Sequence, residues 1–212
     1  MKKVINYLMA AVITIGCITS AKAQDEGVKF KHFEHNFYLG SGCYISTDPK
    51  YDGNADFGFS VKLGYGLNYY FCEHISLMAG VSRHTDAQPF VGDGGDGDFF
   101  KFVDFPIVFQ AHLNDESGRG KWMLGVGPVF GVCTHRDEYY IDYPNGPDSK
   151  LNNQVKIKKT NISLMPCVAY EWKHWRLGVE GSIGLKDVKE THNIAKGQKH
   201  IHNVCAVIAF KF

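Results

Sequence analysis

Past residue 23 the sequence has no apolar run long enough to cross a bilayer as a helix, which takes about 20 consecutive apolar residues. The apolar run from Val4 to Thr19 follows two lysines and precedes Ala21-Lys22-Ala23. That order is typical of a secretory signal, so residues 1–23 are expected to be a cleaved signal peptide, with a transmembrane anchor or lipidation at Cys17 as lesser alternatives. Any membrane span of the mature chain is therefore expected to use strands.

Cysteine is sparse and has no pairing pattern. Cleavage would leave five cysteines, at positions 43, 72, 133, 167 and 205, an odd number without a C-x-x-C pair. This spacing argues against a disulfide ladder and a zinc site, although an exported chain permits one disulfide between spatial neighbours. No metal is expected.

An excess of one charge is missing as well. The mature chain would carry 20 basic and 22 acidic residues, because the signal removes three lysines and no acid. A nucleic-acid partner is not expected, since it needs a concentrated basic surface. There is no Gly-x-Ser-x-Gly elbow, and Gly40-Ser41-Gly42 lies inside a predicted strand. We expect neither a catalytic site nor a cofactor.

Glycine, aromatic side chains and period-two alternation are abundant: there are 23 glycines, and 14% of the residues are aromatic. Eight alternating segments are each about ten residues or longer, as tilted membrane strands must be. Their connectors are tight or intermediate at 72–74, 114–120 and 173–174, and long and polar elsewhere. Short turns and long loops at opposite ends predict an eight-stranded antiparallel up-and-down transmembrane β-barrel over residues 35–212, after a periplasmic segment of residues 24–34. The predicted strands are 35–46, 57–71, 75–85, 99–113, 121–134, 155–172, 175–187 and 199–212.

Apolar residues occupy one face of each predicted strand. In the second strand the odd-numbered residues from Phe57 to Phe71 are apolar, and the even-numbered ones are mostly small or polar. A soluble barrel or sandwich would bury the apolar face, whereas a membrane barrel turns it to lipid. Aromatic residues near the short turns, such as Tyr69, Trp122 and Trp175, favour the membrane barrel, because aromatic girdles lie at membrane interfaces. A secreted soluble sandwich is the alternative.

Two short motifs carry a family resemblance. The segment from Ala206 to Phe212 resembles the closing strand of outer-membrane barrels, and Phe102-Val103-Asp104-Phe105-Pro106-Ile107-Val108 resembles the fourth strand of the PorT-like barrels of Bacteroidetes. The resemblance implies an outer-membrane protein surrounded by lipid, with Phe210 and Phe212 as the insertion signal for the barrel assembly machinery. It implies no catalytic residues. We expect a monomer.

Six charged residues are predicted on the inner face, three of each sign. An eight-stranded barrel has room for little beyond side chains, so mutual pairing that fills the lumen is expected. A polar pore or a proton relay is the alternative. The predicted lumen residues are Lys62, Asp104, Glu171, Arg176, Glu180 and Lys186.

Other motifs suggest structural roles or exposed loops. Pro106 lacks an N–H and is predicted to mark a bulge or kink in mid-strand. The aspartate-rich segment 92–98 is expected to be a solvated loop rather than a calcium site. Histidines toward the long-loop rim, including His84, are expected to be polar surface, although the spacing of His200 and His202 could suit a metal.

These features predict a structural or surface-interaction barrel whose long loops meet an extracellular partner. A narrow channel for ions or small solutes is the alternative, and a lipid-acting barrel enzyme is a third hypothesis. A filled, charge-balanced lumen beneath four long polar loops favours the first.

Overall fold

The segments with period-two alternation form eight long strands, which close into a barrel. The computed structural model describes residues 32–47, 55–87, 99–115, 118–136, 139–140, 154–155, 158–188 and 200–212. The barrel order is β1-β10-β9-β8-β5-β4-β3-β2, with every neighbouring pair antiparallel, and β6 and β7 form a separate two-stranded ribbon. The predicted eight-stranded antiparallel up-and-down barrel is confirmed. The strands are β1 (Phe33–Thr47), β2 (Ala55–Cys72), β3 (Ile75–Ala87), β4 (Phe99–Asn114), β5 (Lys121–Arg136), β6 (Tyr139–Tyr140), β7 (Gln154–Val155), β8 (Thr160–Trp172), β9 (Trp175–Gly184) and β10 (His200–Lys211).

The strand bounds differ from the prediction mainly around the third long loop. β8 begins at Thr160 rather than at 155, because Val155 pairs with Tyr139 in the separate ribbon. Period-two alternation continues through this segment and cannot say which partner a strand has. The predicted signal peptide and the aspartate-rich loop lie outside the described residues. No helix within the described ranges is long and apolar enough to span a membrane.

The predicted inner and outer faces of the strands are confirmed. On β2, Phe57 and Leu63 are each 61% exposed, whereas Ser60 and Lys62 are buried. The pleat of a strand sends successive side chains to opposite sides, so apolar residues cover the outside and polar residues fill the inside. All five cysteines after residue 23 lie in described strands, and none forms a disulfide.

Inward tyrosines are accommodated by glycines directly opposite them. Tyr38 and Tyr44 on β1 pair with Gly64 and Gly58 on β2. A Cβ on Gly64 would lie 2.3 Å from Cζ of Tyr38, and one on Gly58 would lie 1.9 Å from Cε1 of Tyr44. Each ring therefore lies flat over a position that tolerates no side chain.

Pro106 faces the lumen and interrupts the ladder without a bulge. The β3–β4 register is the same on both sides, from Ala79 with Ile107 to Ser82 with Asp104. Proline lacks the N–H that the ladder needs, and Gly80 opposite leaves its ring at ordinary contact distance, 3.5 Å from an ideal Cβ. The bulge predicted as one alternative is therefore wrong, since the register shift of β4 lies between Lys101 and Phe102 on its β5 side, and the kink stays a prediction.

Phe212 closes the seam between the first and last strands of the barrel. Its N–H donates to the carbonyl of His35, and the N–H of His35 donates to its carbonyl, both at 3.0 Å. Its ring lies 5.3 Å from the His35 ring and 5.8 Å from the Phe37 ring. Phe210 is also exposed on the outside, where its ring is 5.2 Å from that of Trp175.

The Gly64→Ala substitution tests the glycine–tyrosine packing. The added methyl would push the Tyr38 ring into a filled lumen, and overpacking of this kind costs about 1 to 3 kcal/mol. We expect a lower free energy of unfolding in urea titrations of the vesicle-reconstituted protein. Gly181→Ala is the matched control, because the nearest atom to a Cβ there is 3.5 Å away. Equal losses for both variants would contradict this account.

Candidate functional site

The candidate site is the interior of the barrel, where charged side chains form three groups. Each strand contributes inward residues at every second position. The group nearest the short turns is the turn-side charge cluster. Its members are Glu34, His112, Glu171, Arg176 and Lys211.

Glu171 is the centre of the turn-side charge cluster. The Nε atom of Arg176, its cross-strand neighbour, donates to it at 2.6 Å, and Nδ1 of His112 lies 2.9 Å from its other oxygen. Lys211 lies 3.7 Å from Glu171 and 3.2 Å from Glu34. All but Glu34 are buried, so the carboxylates compensate the cations where water does not.

An ion pair lies in the middle of the lumen. Lys62 on β2 contacts Glu180 on β9, and β1 and β10 separate these strands in the barrel order. The Lys62 ammonium also lies 5.7 Å from the centroid of the Tyr38 ring, within range of a cation–π interaction. The pair therefore links two strands that are not neighbours and occupies part of the lumen between them.

The third group combines an acid–histidine pair, in which His84 is the cross-strand partner of Lys62, with an apolar cap nearer the long loops. Nδ1 of His84 bonds to Asp104, and its Nε2 lies 3.4 Å from Asp86. The Phe102 ring stacks on His84 with 4.7 Å between centroids. Above them, buried apolar side chains pack together as the loop-side cap. These are Tyr44, Phe100, Phe102, Val188 and Ile201.

The structure brings five of the six predicted lumen charges inside the barrel. Glu171 meets Arg176 at the turn side, Lys62 meets Glu180 in the middle, and Asp104 bonds to His84. Lys186 is the exception, because it lies past the end of β9 at Gly184 and donates to the Thr160 hydroxyl at 2.9 Å.

Sequence reasoning missed several members of the network. His84 was expected at the polar surface, yet it is 6% exposed and bonded to Asp104, so that prediction is wrong. His112 has the same parity as Asp104 on β4, which was the available signal. Lys211 and Glu34 meet only because β10 closes on β1.

The rim histidines form no metal centre among the described side chains. The rings of His200 and His202 stack 6.3 Å apart. No group of three or more His, Cys, Asp or Glu side chains in the described ranges converges as metal ligands would.

A cavity of about 40 Å³ lies in the described part of the lumen, between the central pair and the turn-side charge cluster, bordered by Gln110, Arg176 and Glu180. It would hold a few waters at most, because one water needs about 10 to 15 Å³. Side chains therefore fill most of the lumen at this point.

A wider pocket opens outward at the short-turn rim. It has a volume of about 480 Å³, and four of its lining residues are cationic: Arg119, Lys121, Lys173 and Lys211. Glu171 is at its inner end and belongs to the turn-side charge cluster. Such an excess of positive charge favours anions near this mouth.

No protein-family model matches the chain, so the PorT-like resemblance stays a prediction. Among curated proteins, 97 residues, 45% of the chain, are 26% identical to Pumilio homolog 11 of Arabidopsis thaliana and cover 17% of that protein. This match is too short to indicate a family.

Solved structures of small barrels are distantly similar. Neisserial surface protein A is 12% identical with a TM-score of 0.47, covering 83% of this chain and 97% of that one. Ail, the attachment invasion locus protein of Yersinia pestis, is 10% identical with a TM-score of 0.44, covering 86% and 100%. AlkL, solved in lipid bilayers, is 14% identical with a TM-score of 0.44, covering 89% and 97%. Similarity this low carries no argument about function, and the fold assignment depends on the strand order.

Glu171→Gln tests the turn-side charge cluster. The substitution keeps the shape but leaves Arg176 and Lys211 with less compensation, and breaking a buried ion pair from one side costs about 3 to 5 kcal/mol. We expect that loss in the free energy of unfolding measured in vesicles. Lys186→Gln is the control and should change it by less than about 0.5 kcal/mol. If the two variants are equally stable, the cluster does not stabilise the barrel.

Proposed function

We propose that this protein is a small, closed outer-membrane barrel that acts through its surfaces, chiefly its long loops, and not as a conduit or an enzyme. The observation that carries the proposal is the Lys62–Glu180 pair, which crosses the lumen between the turn-side charge cluster and the loop-side cap. With charge below and packed apolar side chains above, solutes have no wide path along the axis. The loops are then the parts left to meet partners.

The outer surface supports a membrane location. Leu63, Phe105, Val126 and Leu177, on four different strands, are each 44% to 61% exposed on the outside. Monomeric soluble proteins rarely expose contiguous apolar surface on this scale, whereas outer-membrane barrels present an apolar band to lipid. The charged residues are buried inside, so the arrangement of polar and apolar residues is the reverse of that in a soluble protein.

Aromatic residues mark one edge of that surface. At the short-turn end, Phe33 packs on Tyr69 with 5.2 Å between ring centroids, and Trp122 packs on Tyr170 at the same distance. Aromatic girdles of this kind lie at membrane interfaces. We therefore place the short turns in the periplasm and the long loops outside the cell, as in the PorT-like barrels that the segment Phe102–Val108 resembles.

Single-channel recording tests whether the lumen is closed. The wild-type protein in planar bilayers should give no conductance steps, because the central pair and both ends obstruct the axis. A shift in gel mobility between unboiled and boiled samples checks that the barrel is folded. Regular steps that change in Lys62→Ala or Glu180→Ala would show instead that these residues line a pore.

Loop replacement tests the surface role. Residues 48–54, 88–98, 141–153 and 189–199 would each be exchanged for a Gly/Ser linker of equal length. At least one exchange should abolish binding of cells that display the protein to a panel of glycans and extracellular proteins, while the gel shift persists. Glu73→Ala, in a short turn at the opposite end, is the control and should bind normally. Unchanged binding in all four loop variants would refute the surface role.

A further inference from the structure

The pocket at the short-turn rim carries more positive charge than the acids beside it compensate. The turn-side charge cluster is balanced on its own, since its two carboxylates meet one arginine and one lysine. The pocket is also lined by Arg119, Lys121 and Lys173. If the charge of Arg119 is set against Asp115 of the same turn, two lysines are still in excess. Neither of their ammonium groups has a hydrogen bond or an ion pair within the part of the chain that the structure describes.

Both turns that border this pocket are fastened to neighbouring strands. The N–H of Gly118 donates to the carbonyl of Asp115 at 2.9 Å, and the hydroxyl of Tyr170 donates to the Asp115 carboxylate at 3.1 Å. At the other turn the N–H of Lys211 donates to the carbonyl of His174 at 2.6 Å. The cations therefore stand on a preorganised rim, which lowers the cost of binding an anion.

Lys173 occupies a backbone position that disfavours most side chains. It is the first residue of the two-residue turn between Trp172 and Trp175, which pair across the hairpin, and its φ is 47°. No other non-glycine residue in the described ranges has a positive φ. Glycine or asparagine adopts this conformation at low cost, whereas other residues lose about 1 to 2 kcal/mol. A lysine at this position indicates that its side chain has a role at the mouth.

The three tryptophans of the chain lie on the outer wall beside this pocket. Trp122 follows Lys121 in sequence, and Trp172 and Trp175 flank the turn that contains Lys173. Trp122 and Trp175 are 49% and 42% exposed. Tryptophan rings at a membrane interface lie at the level of the lipid headgroups. The cationic pocket and a lipid-facing aromatic surface therefore meet at one edge of the barrel.

We propose that this pocket binds the phosphate of an anionic phospholipid of the periplasmic leaflet, through Lys121 and Lys173, while the acyl chains lie on the outer wall beside Trp122 and Trp175. The proposal rests on the membrane location and the orientation proposed above. Basic pockets of membrane proteins bind anionic headgroups, and a volume of about 480 Å³ is in the range of small-ligand pockets. The amine of a zwitterionic lipid would meet only Glu171, which is already paired.

Quenching of tryptophan fluorescence tests the site, because all three tryptophans lie beside it. The protein is reconstituted in phosphatidylcholine vesicles that contain a fixed fraction of brominated phosphatidylglycerol or of brominated phosphatidylcholine, whose acyl chains quench the indole on contact. We expect phosphatidylglycerol to bind at least about fivefold more tightly, since each lysine near a membrane surface contributes about 1 kcal/mol. Equal quenching by the two lipids in a protein that shows the gel shift would overturn the lipid site alone. Absence of both quenching and the gel shift would overturn the membrane barrel as well.

Two substitutions separate binding in the pocket from general attraction between charges. Lys121→Gln and Lys173→Asn should each lower the preference for phosphatidylglycerol by about fivefold while the gel shift persists. Asparagine suits the backbone of the turn, so a loss in that variant is not a folding defect. Lys159→Gln is the control, because it removes an exposed charge at the long-loop end and should keep the preference. A preference that survives in both pocket variants refutes the site.

Inorganic phosphate shares the chemistry of the headgroup and tests a soluble ligand. It is compared with sodium chloride at equal ionic strength, and the preference for phosphatidylglycerol should be the same in both. Loss of the preference in phosphate alone would show that the pocket takes free phosphate in place of a lipid, which contradicts the proposal.

Discussion

Eight strands enclose a lumen just wide enough for side chains, and the rest of the structure depends on that constraint. A charge placed inside cannot be hydrated freely, and an uncompensated one would cost several kcal/mol. Lys62 therefore contacts Glu180 across the axis, and Asp104 contacts His84. The same lack of space puts Gly64 opposite the ring of Tyr38. The pairing of charges and the placement of glycines both follow from the narrow lumen.

The barrel has its polar side inside, which the narrow lumen alone does not require. A soluble barrel would fill so narrow a space with aliphatic groups and leave its charges in water. Here Phe57 and Leu63 are exposed, while Lys62 between them in sequence is buried, so ion pairs and hydrogen bonds hold the interior together with the apolar cap. Such pairs confer little net stability over apolar packing, but removal of one partner is costly. Each charged side chain of the interior therefore depends on the residue that it pairs with.

Period-two alternation was enough to predict the barrel, the two faces and five inward charges, because parity within a strand is a local property. Errors arose where parity was extended too far or where partners were set by tertiary structure. Lys186 was assigned inward although β9 ends at Gly184, and His84 was judged by residue type although its parity placed it inside. The meeting of Glu34 with Lys211 requires closure of β1 on β10, which no local pattern contains.

A filled lumen also links the interior to the long-loop rim. Val188 lies just past β9, yet it is fully buried in the loop-side cap. The backbone N–H of Lys158 donates to the Val188 carbonyl at 2.6 Å, and its ammonium donates to the Asp187 carbonyl at 3.1 Å. These bonds join the ends of two long connectors to each other and, through Val188, to the packed interior. Because Val188 packs in the cap, the position at which its connector leaves the barrel is tied to the packing of the side chains at that end of the lumen.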